Sequence, residues 1–197
     1  MQLIADDAQA QRVLAFWFDG PDGSERGTVR ARWFGKDAAF DEEIRDAFGA
    51  LIEHALAGGC NHWAHDAASA PALVIVLDQF TRNAFRDTPK MFAGDAAALA
   101  VARRIVAEGW DTGYDPLRRW FCYLPFEHSE SLDDQRESLR LFARLRDDPL
   151  AGGAWTWAVR HHEVIERFGR YPHRNAILGR ASTPAEEAFL REPGSRF

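Results

Sequence analysis

The stretch Pro71–Arg86, PALVIVLDQFTRNAFR, decides the fold. Its first part, PALVIVLDQF, is a short apolar run with β-branched residues, and alone it reads equally as a buried strand. The longer pattern argues for helix. Leu73, Leu77, Phe80 and Ala84 recur at i, i+4, i+7 and i+11, and Pro71 suits a first helical position. On a wheel of about 100° per residue, Asp78, Gln79, Arg82, Asn83 and Arg86 fall within an arc of roughly 140°, with the opposite side apolar. The expectation is a buried helix with one concentrated polar stripe. That stripe either faces a pocket or is an ordinary solvated face whose ion pairs contribute little.

Upstream, Asp6 or Asp7 is expected to cap a first helix ending in Val13, Leu14, Phe16, Trp17 and Phe18, broken by Asp19-Gly20-Pro21-Asp22-Gly23. Residues 24–34 suggest a short helix. Asp37 opens a long amphipathic one through Phe40, Ile44, Ala47, Leu51 and Ala55, stopped by Gly58-Gly59. Downstream, a helix runs from about Asp95 to Gly109. Asp115-Pro116 is a cap and first turn for the next, in which Pro125 predicts a kink or break. Ser131-Leu132-Asp133-Asp134 resembles a capping box and starts another helix. The stripe Trp157, His161, Val164 and Phe168 marks a further helix, terminated by Gly169. Thr183-Pro184-Ala185-Glu186 is a full capping box for the last, and the tail 192–197 is expected to fray.

No strand pattern, linker or internal repeat of about 34 residues is visible. The reading is all-α: a single domain over residues 1–197, a helical array of about eight or nine helices. With 197 residues, 46% hydrophobic and 12% aromatic, the chain can bury a substantial core. A formal charge of −6 disfavours nucleic acid or an anionic membrane as partner. The N-terminus lacks a basic start and an apolar segment, and no run approaches the roughly 20 apolar residues of a membrane helix, so the expected location is the cytoplasm. Two cysteines, Cys60 and Cys122, make no disulfide framework. Lysine occurs only at Lys36 and Lys90; the remaining cations are arginines, forked donors suited to carboxylate and phosphate.

Polar chemistry concentrates in three places. The first is the stripe of Asp78, Arg82, Asn83 and Arg86. The second is Glu127-His128-Ser129-Glu130, where Glu127 and Glu130 would share a face if helical and shift each other's pKa; the competing reading is a capping and salt-bridge region. The third is Arg167–Arg180, RFGRYPHRNAILGR, in which Arg170, His173, Arg174 and Asn175 offer guanidinium, imidazole and amide donors to an anion. The competing reading there is structural, with the arginines anchoring Asp78, Glu127 and Glu130, since buried charges need partners. His161, on an apolar stripe, reads as a packed core histidine or a pocket residue. Neither His161-His162-Glu163 nor Cys60, His62, His65 and Asp66 has the spacing of a metal site, and no cofactor motif is present.

The strings VLAFWF, LDQFTRNAFR, FCYLPFEHSESLDDQ, HHEVIERFGRYPHRNAILGR and STPAEEAFL together resemble the bacterial domain-of-unknown-function family 924 over nearly the whole chain. The resemblance implies an all-helical fold similar to tetratricopeptide-repeat proteins, a superhelix without regular repeats, and implies no reaction. Thr81 stands where the family form DQFPRN has proline, and Tyr171 stands where phenylalanine is usual.

The leading expectation is a polar pocket binding a small anionic ligand bearing phosphate or carboxylate. Asp78, Arg82, Asn83 and Arg86 form one wall, Glu127, His128 and Glu130 another, and His161 with Arg170, His173, Arg174 and Asn175 the floor. If there is catalysis, His128 or His173 moves the proton, a carboxylate such as Glu130 orients it, and arginines stabilise negative charge. The alternative is a peptide- or protein-binding module whose charged motifs are a structural salt-bridge network. It expects Trp33, Trp63 or Trp110 at the surface of a groove.

Overall fold

The computed structural model describes residues 2–20 and 22–195, with residues 2–7 described by backbone alone. Among the described residues it is all-helical, with eight α-helices and no strand. Helix α1 (Gln2–Leu14) passes into a π-helical turn, Ala15–Asp19. It begins upstream of Asp6, so neither Asp6 nor Asp7 stands at its start. The carbonyls loosened by the π turn are satisfied from the next segment. Arg30 donates to the oxygens of Phe16 and Trp17, both at 2.7 Å, and Trp33 Nε1 donates to the latter at 3.0 Å. The short helix expected at 24–34 shrinks to a 3₁₀ turn, Ala31–Trp33, because Gly23 and Gly27 take positive φ and break the helical path.

Helix α2 (Ala38–Leu56) is capped by Asp37, which accepts from the Phe40 amide at 3.0 Å. The loop after α2 exposes His62, His65 and Asp66 but turns its larger apolar residues inward. A 3₁₀ turn, Asn61–His65, carries Trp63 inward, and Cys60 and Trp63 are buried. Helix α3 (70–84) is the deciding stretch, and it is a helix. An α turn, Ala70–Val74, leads into a π turn, Ile75–Phe80, closed by Thr81–Ala84. Residues 70–81 are all buried, so α3 is the axis about which the others pack. The Thr81 hydroxyl bonds back to the Leu77 carbonyl at 2.8 Å.

Helices α4 (Asp95–Ala107), α5 (Pro116–His128), α6 (Leu132–Phe142) and α7 (Ala154–Phe168) pack each on the next, and a short α8 (Pro184–Phe189) ends the array. Helices α1 and α5 also pack on α3, so contacts reach beyond nearest neighbours in sequence. The cap of α5 at Asp115, the left-handed stops at Gly109 and Gly169, and the capping box at Thr183 are as the sequence predicts. Two local expectations are overturned. Helix α5 does not break at Pro125 but continues to His128, because its last turn, with Phe126 and Glu127, is buried and held by packing. Ser131 stands at the N-cap position of α6 but its side chain makes no cap bond, and the Asp134 carboxylate of the expected box instead takes Ser129 Oγ at 2.7 Å and Arg103 at 2.6 Å.

Trp157 is exposed although its stripe-mate His161 is buried. Turns follow α8 as far as Gly194, and the Ser195 hydroxyl donates to Leu190 O at 3.2 Å; Arg196 and Phe197 lie outside the described residues. No helix among the described residues is long and apolar enough to cross a membrane.

The start of α4 is pressed against the π turn of α3. A Cβ on Gly94 would stand 2.1 Å from the Leu77 carbonyl oxygen, a backbone atom that cannot swing away. Gly94→Ala is therefore expected to cost about 1–3 kcal/mol by forcing the two helices apart, read as a lower urea midpoint.

Candidate functional site

The π turn of α3 carries Asp78 into the interior, where it is fully buried. Its Oδ1 lies 2.8 Å from His128 Nδ1 at the end of α5 and 3.0 Å from Arg82. Its Oδ2 accepts from Gln79 at 2.6 Å. Arg82 spans to the first residue of α4, with Nη1 2.9 Å from Asp95 Oδ1 and Nη2 3.1 Å from Oδ2. From the far end of the chain, Arg174 reaches the same carboxylate, 3.3 Å from Oδ2, and donates to the His128 carbonyl at 3.0 Å. Its guanidinium lies 4.7 Å from the Phe92 ring centroid and 4.6 Å from that of Tyr171, a geometry in which ring faces favour a cation. Segments scattered from residue 78 to residue 174 thus meet in one cluster.

Beside it lies a second layer. His161 Nδ1 is 2.8 Å from the Trp157 carbonyl and 3.2 Å from Glu127 Oε1. The Tyr171 hydroxyl donates to the Glu127 carbonyl and accepts from Gln135 at 2.9 Å. His173 packs near Tyr171, with ring centroids 5.4 Å apart.

Burial and charge set the protonation states. Burial alone would raise the Asp78 carboxyl, but Arg82, His128 and its hydrogen bonds hold it well below the usual carboxylate range. Burial, reinforced by Arg82, lowers His128, so its ring is neutral at pH 7. An ionised Asp78 can only accept, so Nδ1 must carry the ring proton and Nε2 the lone pair. Among the described residues Nε2 has no protein partner. Glu127 is pushed up to about 8 by burial and then by the charge of Asp78. Burial lowers His161 and His173 to about 3 each and lifts the Tyr171 phenol well above its ordinary value.

Not every expected residue joins this cluster. Asn83 and Arg86 turn toward α2, where both bind Asp41, at 2.8 Å from Asn83 Nδ2 and 2.8 Å from Arg86 Nη2. The polar arc of α3 is wide enough to serve two neighbours, and it does. Glu130 lies beyond the end of α5, so it does not share a helical face with Glu127. It takes a fork from Arg180 at 2.7 and 2.9 Å and the Tyr171 amide at 2.8 Å, and is lowered despite burial. Arg170 grips Glu186 of α8 at 2.6 and 2.8 Å. Asn175 bonds Arg180 and Ser182, at 3.0 Å each. These three fasten the C-terminal segment. Asp95, Asp41 and Gln135 are the network residues that the sequence did not single out.

No group of three His, Cys, Asp or Glu that would hold a metal occurs among the described residues. Asp66, beside His65, accepts from Ser69 N at 3.0 Å in the turn before α3. Two surface grooves lie elsewhere, one between α1 and α2 at Arg12 and His54, the other along Phe18, Asp115 and Arg118. Trp33 and Trp63 are buried and Trp110 is partly so; among the described residues the exposed aromatics are Phe34 and Trp157.

Among solved structures, the protein of unknown function ATU0120 from Agrobacterium tumefaciens is similar, at 37% identity over 93% of this chain and 97% of that one, with a TM-score of 0.80. A comparison with curated proteins gives no match. The family described as bacterial protein of unknown function, DUF924, matches residues 13–194, and so spans every element from the end of α1 through α8. The chain belongs to this bacterial DUF924 family.

Proposed function

We propose that the Asp78–His128 pair is a proton-transfer site acting on a small anionic ligand seated by Arg82 and Arg174. The observation that carries this is the orientation of His128. A fully buried carboxylate takes the Nδ1 proton at 2.8 Å, which leaves a neutral ring with a basic Nε2 and no protein partner for it among the described residues. That is the arrangement of a positioned general base. Two guanidiniums within the same cluster supply the charge that an anionic substrate or a developing negative charge requires. His161 and His173, each lowered to about 3 by burial, serve as packed neutral rings in this reading.

A second reading has its own support. Arg82 and Arg174 already face Asp78 and Asp95, and an ion-pair network of this kind cross-links α3, α4, α5 and the C-terminal segment without any ligand. Nitrogen-detected NMR of the ¹⁵N-histidine-labelled native chain separates the two. At pH 7 His128 is expected as the neutral Nδ1–H tautomer, and its ring signals should move as acetate or inorganic phosphate is added to high concentration. A His128 ring that answers to neither anion, or that is protonated at Nε2 alone, overturns the proton-transfer reading and leaves the cross-link.

A further inference from the structure

Asp95 stands apart from the other acids of the cluster. Asp78 is fully buried inside α3, whereas the Asp95 side chain is 23% exposed and projects from the first residue of α4. Arg82 bonds only the Oδ2 of Asp95, at 3.1 Å and shared with Arg174; Arg82 Nη1 stands 2.9 Å from Oδ1, which itself finds no hydrogen-bond partner among the described residues. The Arg174 side chain is only 8% exposed, and its Nε finds no hydrogen-bond partner. A buried guanidinium nitrogen left without an acceptor is costly in a closed structural network. It is what remains when the group filling the site is tethered at the wrong angle to use every donor. Asp95 also acts electrostatically on His128, so the seat it occupies lies beside the base.

We infer that the seat between Arg82 and Arg174 is a carboxylate-binding site, and that Asp95 is a built-in occupant that a ligand carboxylate displaces. The inference rests on the reading of His128 and its arginines as a ligand site, and it adds the ligand class and the contact that keeps the site closed. The class follows from shape and charge. The present occupant is planar and presents two oxygens to a planar fork, the geometry that guanidinium matches best. It also carries one negative charge. Arg82 and Arg174 balance Asp78 and Asp95 one for one, so a monocarboxylate preserves neutrality, whereas a phosphate dianion adds an uncompensated charge to a desolvated site. When Asp95 turns outward it moves toward water, so its own solvation is recovered in the exchange. The side chain of a tethered competitor has an effective concentration in the millimolar range, so removing it should sharpen affinity for a free carboxylate by roughly tenfold or more.

The test compares the native chain with Asp95→Ala and with the near-isosteric Asp95→Asn, using sodium acetate and sodium phosphate at matched ionic strength. The readouts are melting temperature and the His128 ring signals. Acetate is expected to raise the melting temperature of Asp95→Ala by about 2–4 °C and to move His128 at concentrations roughly tenfold below those the native chain needs. Phosphate should do less. If Asp95→Ala does not fold without a ligand, refolding in acetate but not in chloride is the same result, and Asp95→Asn supplies the titration. Equal acetate affinity in native and variant chains overturns the occupant role of Asp95 while leaving the His128 site standing. Phosphate matching acetate overturns the carboxylate assignment. A His128 ring silent to both anions in every chain removes the site itself, and the inference with it.

Discussion

Asp78→Ala is expected to lose about 3–5 kcal/mol of folding stability, the range for removing one partner of a buried, hydrogen-bonded charge network. Asp78 sits on the central helix, fully buried, and holds Arg82 at 3.0 Å, His128 at 2.8 Å and Gln79 at 2.6 Å. Alanine leaves the first with Asp95 and the backbone carbonyl of residue 78 and the other two with vacant donors, and vacant buried donors cost more than the bonds they made were worth. Asp78→Asn keeps the volume and one acceptor and should cost less. Urea unfolding with an unchanged m-value would measure both. The pH dependence identifies the cause. A carboxyl held below its ordinary range adds stability that is present above the ordinary carboxylate pKa and lost as pH falls through the depressed one. The native chain should therefore weaken in acid more steeply than Asp78→Ala. A variant within about 1 kcal/mol of the native chain would mean that Asp78 is not the anchor of the cluster.

The helices were legible because their ends are written in local chemistry. Asp37, Asp115 and Thr183 accept from amides three residues on, and Gly109 and Gly169 take left-handed stops. These interactions span one turn, so residue types alone announce them. The site was half legible for the same reason. Asp78 and Arg82 pair at i, i+4, and His128 follows a proline at a helix end. What completes the site has no local signature. Asp95 meets Arg174 across 79 residues and Asp41 meets Arg86 across 45, and in sequence each is only an acidic residue in the first turn of a helix. The wheel also assumes a uniform period, and the π turn Ile75–Phe80 breaks it, so one predicted stripe becomes two contacts with different helices. Pro125 misled because a lost backbone bond was weighed without the packing around it: residues 120–127 are buried on every side, and burial holds the turn that proline weakens.

Folding stability is expected to fall as pH rises from 6.5 to 8, and Glu127 is the reason. Its carboxyl is pushed from 4.5 up to about 8 by burial and by the neighbouring charge of Asp78. In the unfolded chain it ionises near the ordinary value. Above that value the folded state binds the extra proton, so each step upward favours unfolding until the folded carboxyl ionises too. The stability that neutral Glu127 permits is thus full below 4.5 and lost by about 8, a difference on the order of 3–5 kcal/mol. Part of that window is masked. His128, His161 and His173 are all lowered from 6.5, so the unfolded chain takes up protons there first, and below 6.5 they make stability rise with pH. The opposing slopes offset one another in mild acid. Above 6.5 the unfolded histidines shed their last protons until about 7.5 and offset most of the roughly 2 kcal/mol that Glu127 loses by pH 8, so the net fall is about 0.5 kcal/mol and the Glu127 share is read from the difference between native and variant chains. Glu127→Gln keeps the shape and the acceptor for His161 at 3.2 Å while removing the proton. Relative to the native chain its stability should gain about 2 kcal/mol between 6.5 and 8, and it should also climb more steeply between 4.5 and 6.5, where the histidine slope is no longer offset. Chemical denaturation at half-unit steps of pH would read both curves. A Glu127→Gln curve that runs parallel to the native one from 4.5 to 8 would show that Glu127 is ionised in place, with a counter-charge that the geometry does not contain.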